Sequence, residues 1–212
     1  MLLWPKETDT KLSSVGAAVL AFSPDGRALA TGSAGGVRLR DPATCVGTVE
    51  LRSGDREERG TITYGALAFS GDGMFVASAF DVQDAPSRIR PWDVSGRRMV
   101  SDQKPEGSVT ALALSPDGQH VVTGTTDGCW MRRTSGKGTS KTKTFLGDEA
   151  THAVAFSHDG KMLATAGTGG VRLWNTGTGH LTASFMDRAA GAVALSPDGR
   201  STAGGIEDDG PP

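Results

Sequence analysis

One phrase returns five times along these 212 residues, and it dictates most of what the chain can become. It reads Leu20-Ala21-Phe22-Ser23-Pro24-Asp25-Gly26, then Leu67-Ala68-Phe69-Ser70-Gly71-Asp72-Gly73. Leu112-Ala113-Leu114-Ser115-Pro116-Asp117-Gly118 is the third copy. Val154-Ala155-Phe156-Ser157-His158-Asp159-Gly160 and Val193-Ala194-Leu195-Ser196-Pro197-Asp198-Gly199 complete the set. The closing glycines lie 47, 45, 42 and 39 residues apart. A period of this length marks stacked units, each of which buries its apolar face only against its neighbours.

The phrase has a physical reading. Leu20 and Phe22 stand two apart, so in a strand they share one face, and Ala21 takes the other. An alanine holds that middle position in every copy, which points to crowding where strands converge. The following Ser-Pro-Asp-Gly is a tight turn: Pro presets φ, Asp bonds nearby backbone, and Gly accepts positive φ. The recurrence of Asp25, Asp72, Asp117, Asp159 and Asp198 in this turn marks them as structural, because a hydrolytic site needs one carboxylate pair and not five equivalents.

A second strand follows each turn, as in Leu29-Ala30-Thr31-Gly32 and Val121-Val122-Thr123-Gly124, and is weakest in the fifth copy, at Thr202-Ala203-Gly204-Gly205. A third strand begins after another short turn: Val37-Arg38-Leu39-Arg40, Arg88-Ile89-Arg90-Pro91-Trp92, Cys129-Trp130-Met131-Arg132, Val171-Arg172-Leu173-Trp174. A looser fourth strand comes last, for example His180 to Phe185. The 30 glycines fit so many turns, and their lack of a fixed period excludes collagen. Four antiparallel strands in about forty residues describe a propeller blade, so the fold class is all-β.

These segments resemble the WD-repeat β-propeller family, and the resemblance covers nearly the whole chain. It rests on the Phe-Ser-Pro-Asp-Gly turn, the Leu-Ala-Thr-Gly strand and the Val-Arg-Leu-Trp-Asn strand at 171–175. Two departures stand out. No Gly-His pair precedes any of the five phrases, and Arg40 and Arg132 fill the slot that Trp92 and Trp174 fill in their copies. Blades held mainly by packing, without the family's internal Asp–His–Ser–Trp network, are therefore expected.

The two ends complement one another. Leu2-Leu3-Trp4 reads as the end of a third strand and residues 6–12 as a turn and fourth strand, while the last copy stops after its second strand. The expectation is a single domain over 1–212 with five blades. Four are complete (15–51, 62–103, 108–146 and 151–186) and one is a composite of 1–14 with 191–212. A closed ring implies a monomer, and an open array implies an oligomer or a fragment of a larger WD-repeat regulatory protein.

Catalytic and metal chemistry find little footing. His120, His152, His158 and His180 occupy different repeat positions and form no ligand set. Cys45 and Cys129 lack paired metal spacing and read as buried or half-buried free thiols. Residues 136–142 are glycine- and lysine-rich but fail the phosphate-loop spacing, and Gly167-Thr168-Gly169-Gly170 fails the dinucleotide pattern because Arg172 stands where the last glycine belongs. The Asp208-Asp209 pair reads as a solvated tail. No catalytic residue, cofactor or metal is expected.

The partner class follows from charge and loops. A net charge of −2 gives no reason to expect nucleic acid or an anionic membrane, and no apolar run approaches the roughly 18 residues that span a bilayer. The short, early-charged start Met1-Leu2-Leu3-Trp4-Pro5-Lys6 does not read as a secretory leader, so a cytoplasmic location is expected. Sorting loop residues by the family's two faces puts fourteen acids against six bases on one of them, a net −8. Two enlarged loops lie there. One spans 53–60 with Arg56, Glu57 and Glu58; the other spans 81–87 with Asp81, Gln83 and Asp84, followed by Arg88. Loops on rigid scaffolds carry function. The resemblance implies a non-enzymatic protein–protein interaction scaffold or recruitment module. These seven residues are its candidate contacts, and a protein or peptide, basic in character, is its partner. A five-bladed ring binding a small ligand or sugar in its central pocket is the competing reading. It needs carboxylates or aromatic rings on the first strands, which instead carry Ala, Val and Leu, with Tyr64 and His152 as exceptions.

Overall fold

The computed structural model describes residues 19–33, 36–44, 46–51, 62–83, 85–135, 143–147, 149–185 and 188–206. Every regular element among them is a strand. The first sheet is β1 (Val19–Phe22), β2 (Leu29–Ser33), β3 (Gly36–Arg40) and β4 (Gly47–Leu51), in that spatial order. The second is β5 (Ile62–Phe69), β6 (Phe75–Val82), β7 (Ala85–Asp93) and β8 (Arg98–Met99). The third is β9 (Val109–Leu114), β10 (His120–Thr125), β11 (Gly128–Arg133) and β12 (Lys143–Gly147), and the fourth β13 (Thr151–Phe156), β14 (Met162–Gly167), β15 (Gly170–Asn175) and β16 (Leu181–Phe185). β17 (Ala190–Leu195) pairs with β18 (Thr202–Ile206) in a fifth, two-stranded sheet. All pairings are antiparallel between chain neighbours.

The recurrent turn explains why β1 and β2, and their counterparts, find each other. In each copy the serine hydroxyl donates to the aspartate carboxylate, at 2.6 Å from Ser23 to Asp25 and 2.7 Å from Ser157 to Asp159. That carboxylate accepts the backbone N–H two residues on, at 3.0 Å from both Arg27 and Lys161. The serine Oγ accepts the N–H five residues on, at 2.9 Å from Ala28 and 3.0 Å from Met162. The turn glycine stands at φ between 66° and 70° in all five copies, a conformation that costs an L side chain about 1–2 kcal/mol. The structural reading of the five aspartates stands on these bonds.

Sheets pack in chain order through their first strands: β1 on β5, β5 on β9, β9 on β13 and β13 on β17. The first strand is innermost and the fourth outermost. Four apolar clusters follow. Val37 and Leu39 meet Val76 and Trp92; Ala77 and Ile89 meet Leu114 and Val121. Val122 and Met131 meet Leu163 and Trp174, and Ala166 and Val171 meet Ala190. A fully buried aliphatic side chain is worth about 1.5–3 kcal/mol, against about 0–1 kcal/mol for an exposed ion pair, so packing between blades dominates.

The recurrent alanine is less crowded than expected. Ala21, Ala68, Ala113 and Ala155 are half-buried and Ala194 is exposed. Four of them face an alanine across the pair, Ala30, Ala77, Ala164 and Ala203, and Ala113 faces Val122. The fifth blade is also barer than the rest: Ala203 is exposed where Ala30, Ala77 and Ala164 are fully buried.

Candidate functional site

Among the described residues the β6–β7 hairpin is the longest, with strands of eight and nine residues where β10–β11 and β14–β15 have six. Its length comes from the insertion at 81–87. At its tip Asp81 is exposed and accepts the Ser87 hydroxyl, and Gln83 is exposed in the turn. At its root Arg88 places Nη1 3.7 Å from Asp102 Oδ2, while the buried Arg90 donates from Nε to Asp102 Oδ1 at 3.3 Å. The Arg90 guanidinium also lies 4.9 Å over the Phe80 ring. Asp81, Gln83 and Arg88 thus share one hairpin, with Arg88 anchoring it beneath the tip. Arg56, Glu57, Glu58 and Asp84 lie outside the described residues.

A second pattern runs through the third strands. Thr31, Ser78, Thr123 and Thr165 on the second strands pair with Arg38, Arg90, Trp130 and Arg172 on the third. Two residues further along stand Arg40, Trp92, Arg132 and Trp174. Trp92 Nε1 donates to Ser78 Oγ at 3.3 Å, and Trp174 Nε1 to Thr165 Oγ1 at 3.0 Å. Arg40 uses Nε in the same way, reaching Thr31 Oγ1 at 3.2 Å. Beside the packing, this hydroxyl bond is present inside three of the blades.

The arginines of the first slot each face an acid. Arg38 lies 3.6 Å from Glu50, Arg90 bonds Asp102, and Arg172 lies 2.7 Å from Glu149. In the third blade the two residue types are exchanged. Trp130 takes the arginine slot and Arg132 the tryptophan slot. Arg132 then turns outward to donate to Glu106 from Nη2, and Thr123 Oγ1, Trp130 Nε1 and Arg132 Nε are left buried without a hydrogen-bond partner.

These pairs revise the charge of the loop-rich face. Asp102, Glu106 and Glu149 belong to the acids summed there, yet Arg90, Arg132, Lys143 and Arg172 neutralise them from strand positions that a loop-only sum omits. Burial works to raise the Glu106 carboxyl, but the Lys143 hydrogen bond and the charges of Arg132 and Lys143 outweigh it and hold the group below its usual value.

A cleft at the junction of the third and fourth blades is lined by Cys129, Glu149, Thr151, Thr165, Arg172 and Trp174. Burial pushes the Cys129 thiol up to about 12, which keeps it protonated and a poor nucleophile near neutral pH. Among the described residues no group of three or more His, Cys, Asp or Glu is placed to hold a metal ion. His120 opens β10, His152 lies in β13, and His158 and His180 lie in turns of the fourth blade. No helix of the described residues is long and apolar enough to cross a membrane.

Residues 13–41, 97–131 and 139–175 match the WD domain, G-beta repeat family. A WD repeat-containing protein of Synechocystis sp. is 28% identical over 147 residues, which cover 66% of this chain and 40% of that protein. Pre-mRNA-processing factor 19 homolog 2 of Arabidopsis thaliana is 35% identical over 102 residues, 47% of this chain and 19% of that protein. The chain thus spans less than half the length of these relatives. The β-propeller domain of Cps50 (Swd1) from Myceliophteria thermophila superposes with a TM-score of 0.72 at 17% identity, covering 91% of this chain and 63% of that one. Hydrazine synthase of Kuenenia stuttgartiensis superposes with a TM-score of 0.67 at 18% identity, covering 94% of this chain and 58% of that one. At these identities both superpositions speak for the fold.

Proposed function

From a chain built of WD repeats folded as propeller blades, we infer a non-enzymatic docking module that recruits a protein partner carrying a basic segment. WD-repeat propellers generally mediate protein–protein interaction. The observation that carries the finer reading is the β6–β7 hairpin, which extends beyond its counterparts and presents Asp81 and Gln83 to solvent. Its root is fixed by Arg88, Arg90 and Asp102, so the tip is held on a rigid base and little ordering is lost on binding. Arg56, Glu57, Glu58 and Asp84 belong to the same proposed surface by their place in the sequence.

An array of short peptides of graded lysine and arginine content tests it. The wild-type chain should retain a basic subset, and Asp81→Lys with Asp84→Lys should lose that subset while thermal melting stays unchanged. Equal retention by the doubly reversed chain would overturn the assignment of the hairpin.

A further inference from the structure

The exchanged third blade has a consequence beyond the charge of the loop-rich face. Arg132 and Lys143 stand opposite each other on β11 and β12, and both donate to a single carboxylate, Glu106, one to each oxygen. Arg38 and Arg172 each face one acid alone, whereas Arg88 and Arg90 share Asp102 in the second blade. In the third blade two cations share one anion, and the cluster keeps a net positive charge.

N–H donors also exceed acceptors at this place. Trp130 Nε1 and Arg132 Nε are buried without partners, as is the Thr123 hydroxyl on the same face of the blade. Buried polar groups without partners are rare and call for a reason, and a ligand that meets them is one such reason. The surroundings suit a ligand that carries both charge and apolar surface. Lys143 Nζ lies 4.4 Å over the Trp130 ring, and that ring stacks at a tilt on Phe145, 4.5 Å between centroids. Phe145 is 46% exposed, one of six large apolar side chains that are exposed among the described residues.

Glu106 itself reaches the site from a non-strand linker between β8 and β9, and its side chain is 41% exposed. It is the part of the cluster best able to leave. An incoming carboxylate or phosphate offers the same two oxygens in the same bidentate geometry, with further lone pairs for the unmet donors.

We propose that the flank of the third blade is an oxyanion-binding site for an acidic peptide segment, with Lys143 and Arg132 as its cations, Trp130 and Phe145 as its apolar floor, and Glu106 as a tethered competitor. The oxyanion is an Asp or Glu carboxylate or a phosphate on the peptide. This surface is separate from the β6–β7 hairpin and opposite to it in charge preference.

Fluorescence anisotropy on the full chain tests it with three labelled peptides: Gly-Glu-Glu-Leu-Gly, the same peptide with phosphoserine at the first acidic position, and the neutral Gly-Gln-Gln-Leu-Gly. Removing the competitor with Glu106→Gln should tighten binding of the acidic peptides by about tenfold or more, the gain expected when a site that is mostly self-occupied becomes free. Adding Lys143→Gln to that chain should abolish the gain, and the neutral peptide should not bind. Lys143 and Glu106 are both partly exposed, so circular dichroism should show all variants folded. Tightening for both acidic peptides assigns a general oxyanion site; tightening for the phosphopeptide alone assigns phosphate. Unchanged affinity in Glu106→Gln, or a gain that survives Lys143→Gln, would overturn the proposal. Asp81→Lys should leave these affinities unaltered, which separates this test from that of the hairpin.

Discussion

Single hydroxyls decide how well each blade is tied. The Thr165 hydroxyl is buried and receives the Trp174 indole N–H, so removing the donor strands a polar group. Trp174→Phe should destabilise the chain by about 1–3 kcal/mol, and adding Thr165→Val should cost little more, because no unmet group then remains. Urea unfolding followed by far-ultraviolet circular dichroism measures both. The turn aspartates set a pH dependence. The Ser23 hydroxyl, then the Arg27 N–H, hold Asp25 below its ordinary 3.8; the Lys161 N–H, then the Ser157 hydroxyl, do so for Asp159; the Ser196 hydroxyl, then the Arg200 N–H, for Asp198. Folded values lie below unfolded ones, so the stabilisation is complete above the ordinary value and is lost as pH falls through the folded values. Melting temperature should therefore drop steeply below about pH 4, as unfolded-state carboxylates take up protons first. The triple variant Asp25→Asn, Asp159→Asn, Asp198→Asn should flatten that drop, and calorimetry across pH 2–5 checks it.

At the scale of the strand, the exchange of Trp130 and Arg132 is the informative irregularity. Restoring the usual order with Trp130→Arg and Arg132→Trp should let the new indole meet Thr123 and the new guanidinium meet Glu106. The double variant should raise stability by about 1 kcal/mol over the parent, while either single change should lower it; the urea midpoint reads this directly. The strands and turns were legible beforehand because their causes are local: Leu20 to Gly26 contains its own face pattern and its own turn bonds. The arginine slot at Arg38, Arg90 and Arg172 was not singled out, although an arginine between two bulky neighbours recurs in each of those copies. Its acids sit elsewhere, Asp102 lying 12 residues from Arg90, and Glu106 lies farther still from its own partners, 26 residues from Arg132 and 37 from Lys143, so no short window of sequence shows these pairs. Strand cations reach loop acids in the same way, which a sum over loop residues alone does not show.

For the molecule as a whole, the blades are unequal in cover. The β10 and β14 strands are buried nearly end to end, whereas β18 exposes Ala203, Gly204 and Gly205 and, among the described residues, pairs only with β17. Amide exchange should therefore be faster at 203–205 than at 122–124 or 164–166 by at least about tenfold, since local opening is cheapest where little apolar surface is covered. Exchange followed by mass spectrometry measures it, and equal protection would mean that other parts of the chain close over β18. The five described sheets are consistent with the expected five blades, and closure through a composite of 1–14 with 191–212 remains the proposal that this exchange pattern bears on.

The Ser-x-Asp-Gly turn has one more implication. From Ser23 to Ala28 the serine and aspartate side-chain bonds of the turn begin and end within six consecutive residues, and the same holds in the other copies. Few bonds leave it, among them the Asp72 N–H to the Pro116 carbonyl and the Thr176 hydroxyl to the Gly160 carbonyl, and these use backbone carbonyls that any residue supplies. A stretch of coding sequence that carries one such unit carries its hairpin's full instructions, so duplication or loss of a unit alters the number of blades without spoiling those that stay. What then diverges after duplication is the part that crosses between units, and the exchanged tryptophan and arginine of the third blade stand at such a crossing.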